Sequence, residues 1–586
     1  MTPGTSIRAE TVCAAGAALL MVVLLSPGGA VAQCPSMSAG ANVDVSTRTG
    51  NEAEPAIAID PTNTQRLFAF SNIDSGVGLF GAYSTNGGTT WSKRTMATGS
   101  DGLAGACCDP SASWDDFGNL FICYINSSVS AAIVGLSTNG GASFSQIASF
   151  SGSIDQPTIT TGANTVWVCY NLSGNMVARG ASVSGLGSVG TFTSALSVPS
   201  ASGSFGDIAI GPSGQVMLTY QSPTNDQGPS TIYCNTDPDG LGSSGFGSRI
   251  TITSTNVGGF DYIPAQPNRS VDAEAGLAWD RSGGPHNGRV YLVYTDETPN
   301  ESNNTDIYVR FSDNNGTSWS TPVKANDDST TRSQFNPRIA IDQTTGIIAV
   351  AWMDCRNSSG NNTAQNWATI STDYGASFRP NIQVSAGSSN ASTAGSGVDY
   401  GDYNGLTFAG GFFYPIWADN SGALPGYVGS PAFDLGTARV TVNLAPDPPT
   451  GATATPPAVC AGGSSTLSAT VDPGDTVDWF TGSCGGTAVP GGATPVVSPT
   501  STTTYYARTR NPSSGCTSST CASVTVEMAN HTGDFDGGGV GISDISVFIS
   551  VLLSPGTPQD CIADINADGV VDGRDIQPFV DLLLGG

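Results

Sequence analysis

The chain has 586 residues, of which 11% are charged, and its formal net charge at pH 7 is −27. Only two of its basic residues are lysines, so the clustered cations that neutralise phosphates are missing, which argues against nucleic acids and anionic membrane surfaces as partners. Short runs rich in Val, Ile, Tyr, Phe and Trp are separated by clusters of Gly, Ser, Asn and Asp. This pattern predicts an all-β fold.

Residues 1–33 have the composition of a signal peptide. Arg8 precedes an apolar run over residues 14–25, and an Ala-Val-Ala sequence ends at Ala32. We therefore expect a protein that is secreted or held at the cell surface. No later segment reaches the ~18 apolar residues of a membrane span, so a transmembrane anchor is not expected. One of the 13 cysteines lies in this segment, and the even number that remains predicts disulfide bonds in an oxidising compartment.

A pair of strand-like runs occurs seven times between residues 34 and 445. The pairs begin near residues 54, 109, 156, 206, 274, 336 and 401. Their spacing of roughly 45 to 70 residues fits one four-stranded blade per unit, since radial repetition protects the edges of such sheets. The repeats predict a β-propeller of seven blades, with six as the alternative.

An eight-residue phrase follows four of these pairs. It reads STNGGTTW at 84–91, STNGGASF at 137–144, SDNNGTSW at 312–319 and STDYGASF at 371–378. We interpret it as a hairpin staple in which Asn86 bonds nearby backbone groups, Gly88 takes the turn and Trp91 packs between sheets. The phrase resembles the Asp box of BNR-repeat, sialidase-like β-propellers. In that family these hairpins lie on the face opposite the active site, which implies that function resides at the other end of the blades.

Strand direction identifies the residues at that other end. In antiparallel sheets, the starts of the first strands and the ends of the second strands meet at one edge. The candidate ligand-binding residues at these positions are Glu54, Asp109, Glu274, Asp296, Asp354, Arg356 and Asp402. The alternative is that these side chains only cap strands and turns, as a proline after Glu54 and Asp109 suggests. No catalytic residue is assigned.

The resemblance to sialidases implies a possible exo-sialidase-like glycoside hydrolase. Enzymes of that family hold the substrate carboxylate with three arginines and carry an Arg-Ile-Pro motif. This chain has no such motif, and Arg356 is the arginine best placed at a predicted strand end. The leading hypothesis is therefore a propeller that binds glycan or protein ligands, and the hydrolase is the alternative.

A proline-rich stretch, PDPPTGATATPP, follows the propeller. Beyond it, short strand-like runs surround Trp479 and four cysteines, Cys460, Cys484, Cys516 and Cys521. This arrangement resembles a small immunoglobulin-like domain of the kind appended to bacterial surface proteins. We predict such a domain at 446–528, with a role as a spacer.

Residues 529–586 contain two acidic loops, each followed by an apolar helix. The loop DINADGVVDGRD offers oxygen ligands at positions expected for a strong calcium site: Asp564, Asn566, Asp568, the Val570 carbonyl, Asp572 and Asp575. The loop DFDGGGVGISD offers a weaker set, namely Asp534, Asp536 and Asp544, because Gly538 supplies no side-chain ligand. The two loops resemble the EF-hand-type loops of a dockerin. That resemblance implies calcium as a cofactor and a cohesin-like partner; a calcium-folded end cap is the alternative.

Overall fold

The computed structural model describes residues 34–585 apart from 75, 77, 225–226, 460–462, 529–530 and 558. The predicted signal peptide lies outside the described residues. Contacts divide the rest of the chain into two compact units, Cys34–Leu444 and Ala445–Gly586. Strands dominate both units, so the prediction of an all-β chain is confirmed. Among the described residues, no helix has the length and apolar character needed to cross a membrane.

The first unit begins with two short strands, β1 (Ser36–Ala39) and β2 (Val43–Asp44), and continues with a series of antiparallel sheets. Sheet 1 contains β3 (Glu52–Ile59), β4 (Leu67–Ile73), β5 (Leu79–Ser84) and β6 (Ser92–Met96). Sheet 2 contains β7 (Ala106–Trp114), β8 (Leu120–Asn126), β9 (Ala131–Ser137) and β10 (Ser145–Ser151). Sheet 3 contains β11 (Ile154–Gly162), β12 (Thr165–Leu172), β13 (Asn175–Gly185), β14 (Ser188–Val189) and β15 (Leu196–Ser202).

Sheets 4 to 7 repeat this order. Sheet 4 contains β16 (Ile208–Ile210), β17 (Val216–Ser222), β18 (Ser230–Asp237) and β19 (Ile250–Thr255). Sheet 5 contains β20 (Gly276–Trp279), β21 (Val290–Glu297), β22 (Thr305–Ser312) and β23 (Val323–Lys324). Sheet 6 contains β24 (Gln334–Ile341), β25 (Ile348–Asp354), β26 (Gln365–Ser371) and β27 (Ile382–Gln383), and a short helix, α1 (Ala391–Ala394), follows it. Sheet 7 contains β28 (Gly405–Ala409), β29 (Phe412–Asp419), β30 (Asp434–Thr437) and β31 (Val440–Asn443).

The two ends of this unit meet in sheet 7. Strand β1 pairs with β31, and β2 pairs with β30, so residues from the start of the unit complete its last sheet. In the second of these pairings, Val43 lies opposite Thr437 and Asp44 lies opposite Gly436. The first strands also contact one another in order: β3 with β7, β7 with β11, β11 with β16, β16 with β20, β20 with β24, β24 with β28, and β28 with β3.

The second strand of each sheet carries most of the core. Strand β25 is buried along its whole length, and β8 and β12 are nearly so. These strands read as continuous apolar runs because a strand with a sheet packed on each face has no solvent side. Large side chains such as Trp167, Trp352 and Trp417 are fully buried between neighbouring sheets. The packing of sheet on sheet therefore fixes where the first strands start.

The four eight-residue phrases form the same hairpin. In the first, the Ser84 hydroxyl accepts a hydrogen bond from the Gly88 amide and donates one to the Asn86 side chain. Asn86 accepts in turn from the Thr90 amide, and Gly88 has a φ of +78°. In the other three phrases the glycine amide also donates a hydrogen bond to the serine hydroxyl. Each hairpin joins the third strand of its sheet to the fourth, so it lies at the end opposite the starts of the first strands.

The cysteines meet the disulfide expectation only in part. Cys107 bonds to Cys108, and Cys484 bonds to Cys521. Four cysteines are instead buried free thiols, namely Cys123, Cys169, Cys234 and Cys355. The first three lie on strands within the sheet cores, where a thiol packs as a small apolar side chain.

The second unit starts with two small sheets. One contains β32 (Thr450–Thr455), β34 (Ser465–Thr470) and β37 (Val496–Val497). The other contains β33 (Ala458–Val459), β35 (Thr476–Thr481), β36 (Thr487–Val489), β38 (Thr503–Arg510) and β39 (Ala522–Met528). Their shared core includes Trp479, whose indole N–H donates to the Ala493 carbonyl.

Three helices follow: α2 (Ile542–Leu553), α3 (Asp560–Ala563) and α4 (Ile576–Leu583). The rings of Phe548 and Phe579 stack with centroids 4.0 Å apart and planes 4° from parallel. Each phenylalanine stands four residues after the last aspartate of its acidic loop, Asp544 or Asp575. The stack therefore joins two similar halves of this segment.

Candidate functional site

Five first strands begin with the same backbone distortion. Glu54, Asp109, Gln156, Glu274 and Asn336 have φ values of 54°, 57°, 43°, 45° and 50°. Positive φ is uncommon for residues other than glycine, and a following proline, present at four of the five, disfavours helical conformations still further. The strand register shifts at each of those four positions. The fold thus imposes an unfavourable backbone to place these side chains, which marks them as functional candidates.

An arginine from a long loop forms an ion pair at this end of the strands. Arg269, in the loop 256–275, donates two hydrogen bonds to the two carboxylate oxygens of Asp402. The loop is held in turn by Asp399, which accepts from the backbone amides of Asn268 and Arg269 at 2.7 and 2.8 Å. A bidentate guanidinium–carboxylate pair has a fixed geometry, so Arg269 is held over the strand starts.

Glu54 lies beneath this pair. Its carboxylate accepts from the Asp402 amide at 3.2 Å and from the side chain of Asn72. Burial, with Asp402 and Asp109 nearby, raises the pKa of Glu54 well above its usual range. Glu54 is therefore a buried, internal support of the Arg269–Asp402 pair.

A second arginine connects the other sheets. Arg338 forms an ion pair with Glu274 at 2.9 Å and lies 3.9 Å from Asp207. Its Nε donates to the Asn404 carbonyl at 3.0 Å, and its guanidinium lies over the Tyr403 ring. Burial raises the pKa of Glu274 to about 7, although Arg338 opposes this shift.

Two neighbouring acidic residues are at least partly exposed. Asp155 is exposed, and Asp109 is half-buried. Asp109 accepts a hydrogen bond from the Gln156 amide at 3.1 Å, whereas its pKa is raised to about 7 by burial and by the charge of Asp155. The pKa of Asp155 is also raised, by burial and by Asp402. Asp109 and Asp155 are therefore the candidates for proton transfer at this end of the strands.

Apolar surface lies next to these groups. Phe205, at the start of sheet 4, is half-buried and packs edge-on against Phe260, which is 44% exposed, with ring centroids 6.2 Å apart. Phe205 also lines a cavity of about 340 Å³ that runs among the first strands of all seven sheets. Gln156, Glu274 and Tyr403 line it at the same end, and Trp114 and Asp116 line it at the other.

The structure gathers some of the predicted residues and not others. Glu54, Asp109, Glu274 and Asp402 lie at this end of the cavity, in one electrostatic network. Asp296 does not join them: it accepts from Thr255, from the Asn256 amide and from the Glu297 amide, and so holds a local loop.

Asp354 and Arg356 also stay outside the cluster. They bond to each other at 2.9 Å, and Asp354 accepts from the Trp352 indole at 2.7 Å. Arg356 donates further to Asp327 and Asn381 and lies over the Trp367 ring. Their polar atoms are hydrogen-bonded within sheet 6 and its neighbouring loop. These contacts account for the two residues at this strand end, and no ligand needs to be invoked.

Sequence reasoning missed Arg269, Arg338 and Asp155. The alternation of side chains along β24 could have indicated Arg338, because Arg338 and Ala340 lie on the same face of the strand and both line the cavity. Asp155 immediately precedes Gln156, whose place in the repeat was recognised. The loop that carries Arg269 has no pattern that would have identified it.

The acidic loops of the second unit have matching hydrogen bonds. Asp534 accepts from the amides of Gly537 and Gly539, and Asp564 accepts from those of Asp568 and Gly569. The carboxylate oxygens of Asp534, Asp536 and Asp544 lie within 4.8 Å of one another, the one such group in the described part of the chain. The predicted weaker loop is therefore the more tightly gathered one.

The predicted stronger loop holds its side chains differently. Asp575 accepts from the amides of Asn566 and Asp572, and Asp568 accepts from the Val570 amide. Asp572 accepts from the Arg574 amide. Both loops offer oxygen atoms alone, which is the donor set that calcium takes.

Comparison with known proteins identifies one domain. Residues 446–529 match the family described as "Ig-like domain CHU_C associated". This match confirms the predicted immunoglobulin-like domain. No curated protein matches the chain at a significant level.

Several solved structures are similar to the chain. A protein of unknown function from Dyadobacter fermentans is 12% identical with a TM-score of 0.40, over 70% of this chain and 100% of that chain. An α-L-arabinofuranosidase from Fusarium graminearum is 13% identical with a TM-score of 0.38, over 57% and 98%. A Hadza microbial sialidase is 12% identical with a TM-score of 0.35, over 66% and 65%. At these TM-scores no function is transferred, and the fold described above rests on strand pairing.

Proposed function

We propose that the first unit binds carbohydrate at the end of the cavity where the first strands begin. The observation that carries this proposal is the combination of accessible polar groups, Asp109, Asp155 and Arg269, with the apolar edge of Phe205 and Phe260. Carboxylates and guanidinium groups bond sugar hydroxyls, and aromatic side chains pack on the apolar faces of sugar rings. Such a site suits a neutral or weakly charged glycan better than a polyanion, because carboxyl groups outnumber arginines around it.

We infer that the seven sheets are the blades of a seven-bladed propeller rather than of one with six. Two observations support this inference. The contacts between first strands return from β28 to β3, and β1 and β2 contribute to sheet 7 from the start of the unit. In such an arrangement the cavity is the central channel, and the Asp-box hairpins face away from the ligand site.

Glycoside hydrolysis is the second candidate function. It is favoured by the neighbouring carboxyl groups of Asp109 and Asp155, because hydrolysis of a glycosidic bond uses one protonated and one ionised carboxyl group. In this reading Asp109, with a pKa of about 7, would donate the proton to the leaving oxygen, and Asp155 would act as base or nucleophile. A sialidase-like version lacks support, since Arg269 and Arg338 are both already paired with carboxylates.

A glycan array and a panel of chromogenic glycosides test the two candidates together. Binding without turnover supports the binding protein, and turnover supports the hydrolase. Asp109→Asn and Asp155→Asn should abolish turnover but weaken binding only several-fold. Asp116→Asn is the matched control, because Asp116 lines the opposite end of the same cavity. Neither binding nor turnover across the full panels would refute the proposal.

We further propose that the second unit ends in a calcium-binding, docking segment. Asp564, Asn566, Asp568, the Val570 carbonyl, Asp572 and Asp575 would hold one ion, and Asp534, Asp536 and Asp544 a second. Calcium would neutralise these carboxylates and fix the loops that lead into α2 and α4. Exposed apolar side chains on the helices, such as Ile542 and Leu553, support docking to a cohesin-like module.

We also propose that the chain is exported, as residues 1–33 indicate. A secreted or cell-surface location is consistent with disulfide bonds such as Cys107–Cys108 and Cys484–Cys521. The immunoglobulin-like domain would then space the carbohydrate-binding unit from its attachment point.

A further inference from the structure

A disulfide between adjacent residues immediately precedes Asp109. Cys107 and Cys108 are bonded at the start of β7, and the register between β7 and β8 shifts on both sides of Cys108. A bond between adjacent cysteines closes a small ring through their peptide bond, so the backbone dihedrals of both residues are restricted. The next residue, Asp109, has a φ of 57°. The disulfide therefore constrains the part of the strand that turns the Asp109 carboxyl group.

The two cysteines have different surroundings. Cys108 packs against the core between sheets 2 and 3, next to a cluster that includes Ile125 and Ile154. Cys107 is also half-buried, but it belongs to no core cluster. Both halves of the disulfide are thus partly exposed, and the Cys108 half is also packed against the core.

Asp109 depends on this anchor because its other restraints are weak. Its carboxylate accepts one backbone hydrogen bond, from the Gln156 amide at 3.1 Å, and it lies beside the like charge of Asp155. Repulsion between two carboxylates pushes them apart unless the backbone holds them.

We propose that the Cys107–Cys108 disulfide is a positioning element that holds Asp109 in the ligand site, and that its reduction weakens ligand binding. This inference rests on the proposed carbohydrate site. In the reduction, a dithiol donates two electrons and two protons, the S–S bond breaks, two cysteine thiols form, and the dithiol becomes a cyclic disulfide. The partial exposure of Cys107 gives a small dithiol such as dithiothreitol access to the bond.

The first experiment measures the titration of the Asp109 carboxyl group in the absence of a ligand. Carbodiimide-driven amidation with glycinamide, which requires a protonated carboxyl group, is followed at Asp109 by peptide mass spectrometry across pH. In the oxidised full-length protein we expect a midpoint near the Asp109 pKa of about 7. After reduction the midpoint should move toward the usual aspartate range, because the released strand admits water. An unchanged pH profile after reduction would overturn the proposal.

Matched variants assign the effect to one bond. In Cys484→Ser/Cys521→Ser, Cys107–Cys108 remains, so dithiothreitol should still shift the profile. In Cys107→Ser/Cys108→Ser, the profile should already be shifted, and dithiothreitol should add nothing. If that variant does not fold, the wild-type and Cys484→Ser/Cys521→Ser proteins with and without dithiothreitol still decide the question. A shift that disappears in Cys484→Ser/Cys521→Ser would also overturn the proposal.

The second experiment uses the glycan array on the same proteins. We expect dithiothreitol to weaken binding about tenfold in the wild type and in Cys484→Ser/Cys521→Ser, since a misplaced polar group forfeits its hydrogen bonds to the ligand. Binding that is unaffected by reduction would contradict the proposed effect on the ligand. If no glycan binds at all, the carbohydrate proposal fails, whereas the amidation profile still tests the positioning of Asp109.

Discussion

Arg269 binds both carboxylate oxygens of Asp402, a residue 133 positions later in the chain. The pair lies above Glu54, whose carboxylate accepts from the Asp402 amide. Asp402, Glu54 and Asp109 all influence one another electrostatically, so the guanidinium offsets repulsion within the whole group. A loop of sheet 4 and the start of sheet 7 are thereby joined through a single side chain.

Removal of this guanidinium should destabilise the first unit. In Arg269→Ala, Asp402 loses its partner and faces the other carboxyl groups alone, which we expect to cost about 1–2 kcal/mol of unfolding free energy after allowance for the partial exposure of Arg269. The loss should be greater at alkaline than at acidic pH, because protonation relieves the repulsion. Denaturant titration measures it. Arg510→Ala is the control, since Arg510 forms an exposed pair with Asp478 and should change stability little.

Stability should fall as the pH rises. Burial raises the pKa of Glu52 to about 8 and that of Asp434 to about 7, from usual values of 4.5 and 3.8. Between the usual and the raised pKa values, the folded protein binds more protons than the unfolded chain. The stability contributed by Glu52 and Asp434 is therefore complete below about pH 4 and is lost as the pH rises through 7 to 8. We expect a higher melting temperature at about pH 5 than at about pH 9.

Glu52→Gln tests the source of this effect. The amide cannot titrate, so the variant should show a flatter dependence of melting temperature on pH. Asp116→Asn, at an exposed site, should leave the slope unchanged. A slope that survives intact in Glu52→Gln would mean that other buried carboxyl groups carry the dependence.

The four repeated hairpins should affect stability and leave binding unchanged. Ser84 is buried and makes hydrogen bonds to Gly88 and Asn86, so Ser84→Ala should lower the unfolding free energy by about 1–3 kcal/mol. Asn86→Ala should have a smaller effect in the same direction, because Asn86 is exposed. Ser92→Ala, at an exposed position on β6, is the control. Loss of glycan binding by the folded Ser84→Ala protein would mean that the ligand binds at the hairpin end of the sheets, which contradicts the proposed site.

Calcium should bind the second unit at two sites of unequal affinity. The second loop offers more oxygen ligands, so Asp564→Ala should remove the tighter site, and Asp534→Ala should remove the weaker one. Isothermal titration calorimetry of the full-length protein distinguishes them. Because Asp534, Asp536 and Asp544 lie close together, the opposite order of calcium affinities must also be tested. If Asp534→Ala removes the tighter site, ligand count is less important here than the spacing of the carboxylates.

Much of the fold could be predicted because successive sheets repeat the same local structures. The turn glycine of each hairpin, such as Gly88, and the buried second strands recur at similar intervals, so their signals add along the sequence. The site was predicted only in part. Glu54 and Asp109 stand at repeated positions, but Arg269 reaches the cluster from an irregular loop, through a contact that no local pattern reveals.

Two misplacements have a local cause. Asp354 and Arg356 were assigned to the ligand site because they stand at a strand end, yet they are two residues apart and satisfy each other. Likewise, the even number of cysteines predicted pairing, whereas a residue such as Cys123 is a free thiol buried within a strand core. In both cases the prediction used the position or the number of residues and did not take into account the local contacts that each side chain makes.

The joining of β1 and β2 to sheet 7 has a consequence for the order of folding. A chain that emerges from the ribosome or through a translocon with its N-terminus first exposes Ser36 to Asp44 early, but their partners end only at Asn443. The earliest strands must therefore wait, unpaired, until some four hundred residues have followed them. Any nascent or truncated chain that stops before β30 keeps two free strand edges, which makes premature termination in this unit a route to aggregation.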